Sequence, residues 1–226
     1  MGKDKLRKFE ENKLFKHVFQ PSSGDMISSA REFKGKWNGI FGNSNPVILE
    51  LGCGKGEYSL ALSRKYPDRN FIGIDIKGAR IWRGAKTVAE ENIPNVAFLR
   101  IRIEFIDSFF AQNEIDEIWI TFPDPQINKP DKRLTSPLFL ERYRKFLKSE
   151  GIIHLKTDSK MLHDYTLNVI SENRFTLLAS YSDISVQNPN DELLSIKTFY
   201  EARYAAKGIP ITYLKFRNSL FQGCEI

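Results

Sequence analysis

Cysteine is scarce, with only Cys53 and Cys224 in 226 residues. Two cysteines without paired spacings build no disulfide framework, so a reducing compartment is expected, and the chain is read as cytoplasmic. Histidine is scarce too: His17, His154 and His163 have no partners at metal-ligand spacing, and no metal is expected. No apolar run reaches the ~20 residues that span a bilayer. The opening Met1-Gly2-Lys3-Asp4-Lys5 is too polar for the apolar core of a secretion signal, so neither membrane nor export is expected. Internal repeats and low-complexity tracts are lacking as well, and no helix face shows a sustained interface pattern that would point to monomer or homodimer.

Charge and apolar residues are present in ordinary globular proportion, at 27% and 41%. The net charge of +6 is unevenly spread, with residues 1–20 carrying +3 and residues 126–145 carrying +4 on a nearly neutral remainder. Two basic segments on a neutral body suit a polyanion, because phosphate contacts supply most non-specific affinity for nucleic acid. Residues 1–25 are polar and end in Gln20-Pro21-Ser22-Ser23-Gly24, which reads as a basic mobile arm. Residues 26–226 read as a single domain with a basic loop at 126–135.

From Pro46 onward, strand and helix patterns alternate. Strands are expected at Val47–Leu51, Asn70–Asp75, Val96–Ile101, Glu117–Phe122 and Gly151–Thr157, with closing strands at Phe175–Tyr181 and Ile211–Phe216. Helices are expected at Glu57–Tyr66, Gly78–Glu91, Ser136–Leu147 and Lys160–Glu172. This alternation predicts an α/β, Rossmann-like fold with a mostly parallel seven-stranded sheet flanked by helices. Ligands of such sheets sit beyond the carboxyl ends of the strands.

The first strand runs directly into Gly52-Cys53-Gly54-Lys55-Gly56, preceded by Glu50, and Asp75 closes the second strand. Glycines permit a tight turn and close approach of a ligand to backbone. An acid ending the second strand can accept hydrogen bonds from both ribose hydroxyls of an adenosine. A dinucleotide loop reads G-x-G-x-x-G and seats a pyrophosphate. Here the spacing is G-x-G-x-G with Glu50 and Glu57 on either side, which suits the cationic sulfonium and ammonium of S-adenosylmethionine better. The pattern resembles the first motif of the class I methyltransferases. On that resemblance Glu50, Gly52, Gly54, Gly56 and Asp75 would be cofactor-binding.

The fourth strand breaks off at Thr121-Phe122-Pro123-Asp124-Pro125. Pro123 fixes its own φ and Pro125 pushes Asp124 towards extended backbone, so the carboxylate is stiffly held. Further along stand Lys132-Arg133-Leu134-Thr135-Ser136-Pro137, Leu155-Lys156-Thr157-Asp158 and Thr198-Phe199-Tyr200-Glu201. In this order, the motifs resemble those of the bacterial tRNA (guanine-N7)-methyltransferase family over about Val47 to Phe216. The resemblance implies transfer of a methyl group from S-adenosylmethionine to N7 of a guanine in the tRNA variable loop. It also implies that Asp124 is catalytic and cofactor-binding, in contact with the cofactor or beside it, and that Arg102 is cofactor-binding. Lys129, Lys132, Arg133, Asp158, Thr198, Tyr200 and Glu201 would contact the RNA or its target guanine. The family has an aromatic after Pro-Asp-Pro where this chain has Gln126. Its acid after the third strand is replaced by Ile101-Arg102-Ile103, which puts Arg102 on the adenine side and leaves Glu104 or main-chain groups to substitute.

Guanine N7 is a neutral nucleophile, so no general base is expected and positioning supplies the catalysis. Asp124, Asp158 and Glu201 are the candidates for reading the N1–H and N2–H₂ edge. The rivals are the same cofactor chemistry on another RNA, a protein or a small molecule, a nicotinamide-dependent oxidoreductase, and a non-catalytic RNA-binding module. His154 reads as a core histidine, and Trp119 and Phe122 as core aromatics.

Overall fold

The mostly apolar five-residue segments Val47–Leu51 and Asn70–Ile74 form strands that are buried along their whole length. Only a parallel sheet covered by helices on both faces hides such segments. The computed structural model describes residues 3–21, 26–198, 201, 204 and 207–220. In chain order these form α1 (Lys3–Leu14), β1 (Val18–Phe19), α2 (Met26–Ala30), α3 (Trp37–Phe41), β2 (Val47–Leu51), α4 (Glu57–Lys65), β3 (Asn70–Ile74), α5 (Gly78–Glu91) and β4 (Val96–Leu99). They continue with β5 (Ile115–Thr121), α6 (Pro137–Arg144), β6 (Leu147–Thr157), α7 (Lys160–Glu172), β7 (Phe175–Tyr181), α8 (Ile184–Gln187) and β8 (Thr212–Leu220).

Among the described residues the sheet has eight strands in the order β1-β4-β3-β2-β5-β6-β8-β7. All pairs are parallel except β6–β8 and β7–β8, so the expected mostly parallel α/β sheet is present. The expected count of seven is corrected by β1, two residues that extend the edge beyond β4. Phe98 N donates to His17 O at 2.8 Å and Arg100 N to Phe19 O at 2.8 Å. A strand this short has no period to read.

Apolar side chains fill both faces. On one, Leu49, Ile72, Ile118 and Leu155 pack against an aromatic cluster of Phe33, Trp37, Phe109, Phe110 and Phe146. Trp37 is fully buried and its Nε1 donates to Phe109 O at 3.1 Å. On the other face, Phe71, Phe98 and Trp119 meet Tyr58 of α4 and Ile81 and Val88 of α5. Burying each large side chain contributes about 1.5–3 kcal/mol. His154 lies in this core, 3.8 Å from Trp119 at 4° between the rings, with its Nδ1 2.7 Å from Tyr213 Oη.

Close packing fixes the first turn of the site. A Cβ on Gly84 of α5 would sit 2.4 Å from Lys55 O and 2.7 Å from Phe98 Cζ. Helix α5 therefore presses its backbone onto the glycine loop, and only glycine allows it.

Residues 3–14 of the segment expected to be a mobile arm form helix α1. Its charges pair along α1, Arg7 with Asp4 and Glu11, and the helix lies on α5. Asn12 is fully buried and donates to Gly78 O at 2.8 Å, while Lys8 Nζ sits 4.9 Å from the Trp82 ring centroid. Pairing at i,i+3 and i,i+4 together with docking on Trp82 outweighs the polar composition. Residues 22–25 lie outside the described residues. No described helix is long and apolar enough to cross a membrane.

Candidate active site

The carboxyl ends of β2, β3, β5 and β6 meet at one edge, where the predicted motifs converge. The loop after β2 places Gly52, Gly54 and Gly56 at φ of +74°, +57° and +70°, the left-handed region. Gly52 N and Cys53 N both donate to Ile74 O, at 2.8 and 3.0 Å, which ties the loop to the end of β3. Asp75 then fastens it from the other side. Its Oδ2 accepts from Gly54 N at 3.0 Å and its Oδ1 from Lys77 N at 2.8 Å. The sequence had assigned Asp75 to a ligand, and the fold also uses it as a brace.

Glu50 is buried, and burial pushes its carboxyl up to about 7. Three donors oppose that rise: Ser59 N at 2.9 Å, Ser59 Oγ at 2.6 Å and Thr121 Oγ1 at 2.9 Å. Glu50 thereby links β2, α4 and β5 under the floor of the site. Burial pushes the Cys53 thiol up, so it behaves as a small packed side chain.

Two cavities open along this edge and share Gly52. One, of about 460 Å³, is lined by Glu50, Gly54, Thr121, Asp124, Asp158 and Thr198 among others. The other, of about 670 Å³, is lined by Asp75, Ile76, Ile101, Arg102, Lys129 and Lys132 among others. A Cβ on Gly52 would meet no atom within 4 Å, so the space before the loop is free for a ligand. An elongated molecule laid across Gly52 would have its ribose at Asp75, a flat apolar slot at Ile76 and Ile101, and carboxylate chemistry at the far end. That donor set fits a nucleoside with a cationic tail.

The turn after β5 is strained. Phe122 and Gln126 take φ of +48° and +46°, a conformation that costs a non-glycine residue about 1–3 kcal/mol. The surroundings over-determine it. Phe122 N donates to Lys156 O at 2.8 Å, Gln126 N donates to Asp124 Oδ1 at 3.0 Å, and Phe122 stacks on Tyr204 at 6.4 Å. Asp124 is left exposed at the cavity with its second oxygen turned to no described donor.

Two of the residues expected to contact RNA, Arg133 and Glu201, have partners within the protein. Arg133 is 8% exposed, because its Nε donates to Pro125 O at 3.1 Å and its Nη2 to Ile127 O at 3.3 Å. Its guanidinium also lies 4.2 Å from the Tyr165 ring centroid. It clasps the strained turn, whereas Lys129 and Lys132 are exposed at the second cavity. Glu201 is 4% exposed, and its Oε2 accepts from Lys156 Nζ at 2.8 Å. It is committed to that cation and does not line the cavity holding Asp124. Thr198 does line it, while accepting from Glu201 N at 3.2 Å. Tyr200 lies outside the described residues.

Arg80 and Lys156 were missed. Arg80 enters the first cavity from the first turn of α5, the helix that must start next to Asp75. Lys156 is visible in the sequence as a cation directly after Ile152-Ile153-His154-Leu155 and inside the strand.

The strand order and the glycine loop at the carboxyl edge define the class I methyltransferase fold. The solved 16S rRNA methyltransferase KamB matches with a TM-score of 0.64 at 15% identity, over 83% of this chain and 94% of that one. A geranyl diphosphate C-methyltransferase from Streptomyces coelicolor, solved with S-adenosyl-L-homocysteine, matches with a TM-score of 0.53 at 15% identity, over 86% and 79%. Residues 44–214 match the family described as "Putative methyltransferase". The tRNA (guanine-N(7)-)-methyltransferase of Christiangramia forsetii is 52% identical over 96% of this chain and 98% of its own length. That of Bacteroides thetaiotaomicron is 49% identical over 96% and 86%, and that of Bacillus licheniformis 35% identical over 82% and 87%. The chain belongs to the tRNA (guanine-N(7)-)-methyltransferase family and is an enzyme of methyl transfer. The nicotinamide-dependent and non-catalytic alternatives are set aside by that membership.

Proposed function

We propose that the protein methylates N7 of a guanine in the variable loop of tRNA, with S-adenosylmethionine as donor, in the cytoplasm. One observation carries this reading: the same cavity is lined by Glu50 and Gly54 and by Asp124, Asp158 and Thr198, so a donor and a base can share it.

S-adenosylmethionine supplies an electrophilic methyl group on a cationic sulfonium. Glu50, Gly52, Gly54 and Gly56 would hold its amino-acid end and Asp75 its ribose, with Arg102 and Ile101 towards the adenine. The remaining work falls to this chain's own groups. Asp124 and Asp158 accept hydrogen bonds from the N1–H and N2–H₂ edge of guanine and so orient N7. Methylation leaves a positive charge on the purine, and the fixed carboxylate of Asp124 stabilises that charge as it develops. No proton has to be abstracted. Exposed Lys129 and Lys132 hold the RNA backbone. Single-stranded or splayed bases are the ones such a cavity can reach.

Nucleoside analysis of tRNA incubated with the enzyme and S-adenosylmethionine tests this reading. It is expected to give 7-methylguanosine, and any other methylated nucleoside as the product overturns it.

A further inference from the structure

Lys156 is fully buried, with three acceptors around its ammonium. Nζ donates to Leu194 O at 2.7 Å, Ile196 O at 3.0 Å and Glu201 Oε2 at 2.8 Å. Its carbonyl accepts from Phe122 N at 2.8 Å, the residue that opens the strained turn carrying Asp124. Two positions further along the chain stands Asp158. One residue of β6 therefore joins three parts around the cavity: the Phe122–Gln126 turn through its backbone, Leu194, Ile196 and Glu201 through its side chain, and Asp158 by succession.

A second anchor serves the same segment. Tyr58 of α4 donates its Oη to Leu193 O at 2.7 Å, and its ring lies 5.5 Å from Lys156 Nζ. Asp191 Oδ1 accepts from Leu193 N and Leu194 N at 2.9 and 3.0 Å, which preforms the turn delivered to these anchors. Thr198 leaves this turn and reaches the cavity opposite Asp124. Burying a cation costs several kcal/mol unless its hydrogen bonds are filled, and here three acceptors fill them.

We propose that Lys156, assisted by Tyr58, is a positioning residue that seats Leu193–Thr198 and Glu201, so that Thr198 forms part of the wall against which the target guanine is held. The assignment of guanine to this cavity rests on the function proposed above. Lys156 does not touch the base or the donor. Its effect falls on the RNA side of the reaction and leaves the donor side alone, because the Gly52–Gly56 loop and Asp75 are braced independently of it.

The test is the full-length Lys156→Met variant, read by three measurements. The account expects cofactor affinity by calorimetry within about twofold of wild type, KM for a tRNA transcript raised at least tenfold, and faster amide exchange confined to residues 193–198. The double variant Lys156→Met/Glu201→Met no longer strands a carboxylate. It should recover thermal stability without recovering KM or exchange protection, a split that a purely stabilising role would not give. Wild-type KM with unchanged exchange at 193–198 overturns the proposal, as does a cofactor affinity that falls in step with KM. Should Lys156→Met fail to fold, Tyr58→Phe removes the single bond to Leu193 O. It is expected to raise KM for tRNA by about threefold to tenfold, and no change in KM overturns the proposal equally. If wild-type enzyme methylates no tRNA, the functional reading fails, and the exchange pattern at 193–198 still decides whether Lys156 seats that segment.

Discussion

Asp75 Oδ2 accepts a hydrogen bond from Gly54 N at 3.0 Å, so the acid that ends β3 and the glycine loop that follows β2 form one unit. Both halves of the proposed cofactor site are held before any ligand arrives.

Replacing Asp75 by Ala removes that brace together with the proposed acceptor for the ribose. Hydrogen bonds to a charged group contribute about 1.5–3 kcal/mol, so cofactor affinity should fall by roughly 10- to 150-fold. Calorimetry checks this, and tRNA binding measured without cofactor should be unchanged.

Glu50 makes the stability of the free enzyme depend on pH. Its carboxyl is raised by burial from 4.5 to about 7 in the folded state, so the fold binds the proton more tightly than the unfolded chain does. The stabilisation from that proton is complete below pH 4.5, declines as pH rises and is gone above about 7. Its size is of the order of 3 kcal/mol. Thermal melts of wild type and Glu50→Gln between pH 5 and 8 should therefore diverge in slope, with the variant flatter. Parallel curves would contradict the assignment.

Asp124→Asn keeps a side-chain oxygen to accept from Gln126 N, so the turn survives while the charge is lost. We expect kcat to fall by about 10²–10³, the usual effect of removing one electrostatic stabiliser of the transition state. Cofactor affinity should fall by calorimetry far less than kcat does.

Lys132 and Arg133 are neighbours with opposite fates. Lys132→Ala should weaken tRNA binding, reduce the slope of log affinity against log salt by about 0.7–0.9, and leave the melting temperature alone. Arg133→Ala removes two hydrogen bonds to carbonyls and a contact with the Tyr165 ring. It should lower stability by about 2 kcal/mol and leave the salt slope unchanged. Filter binding across a salt series, beside thermal melts, separates the two.

The strands, the glycine loop and the Pro-Asp-Pro turn were legible in the sequence because their signals are local. Short, mostly apolar segments, glycines at a strand end and prolines on either side of an acid each act within a few positions. What was not legible depends on partners far along the chain. Glu201 looked free to read a base until Lys156, 45 residues away, took its carboxylate. Arg133 looked like one more phosphate contact in a basic loop, yet its acceptors are carbonyls that only the strained turn presents. Helix α1 looked like an arm because its composition is polar, and what docks it is Trp82 and Gly78 of α5. Residue type showed which chemistry was present, and only the fold showed which of those groups were already spent.

The most direct test of the central claim is transfer of a labelled methyl group from S-adenosylmethionine to unmodified tRNA, with and without a guanine in the variable loop. The account predicts incorporation into the first and none into the second. Equal incorporation into both would place the target elsewhere and contradict the proposed site of methylation.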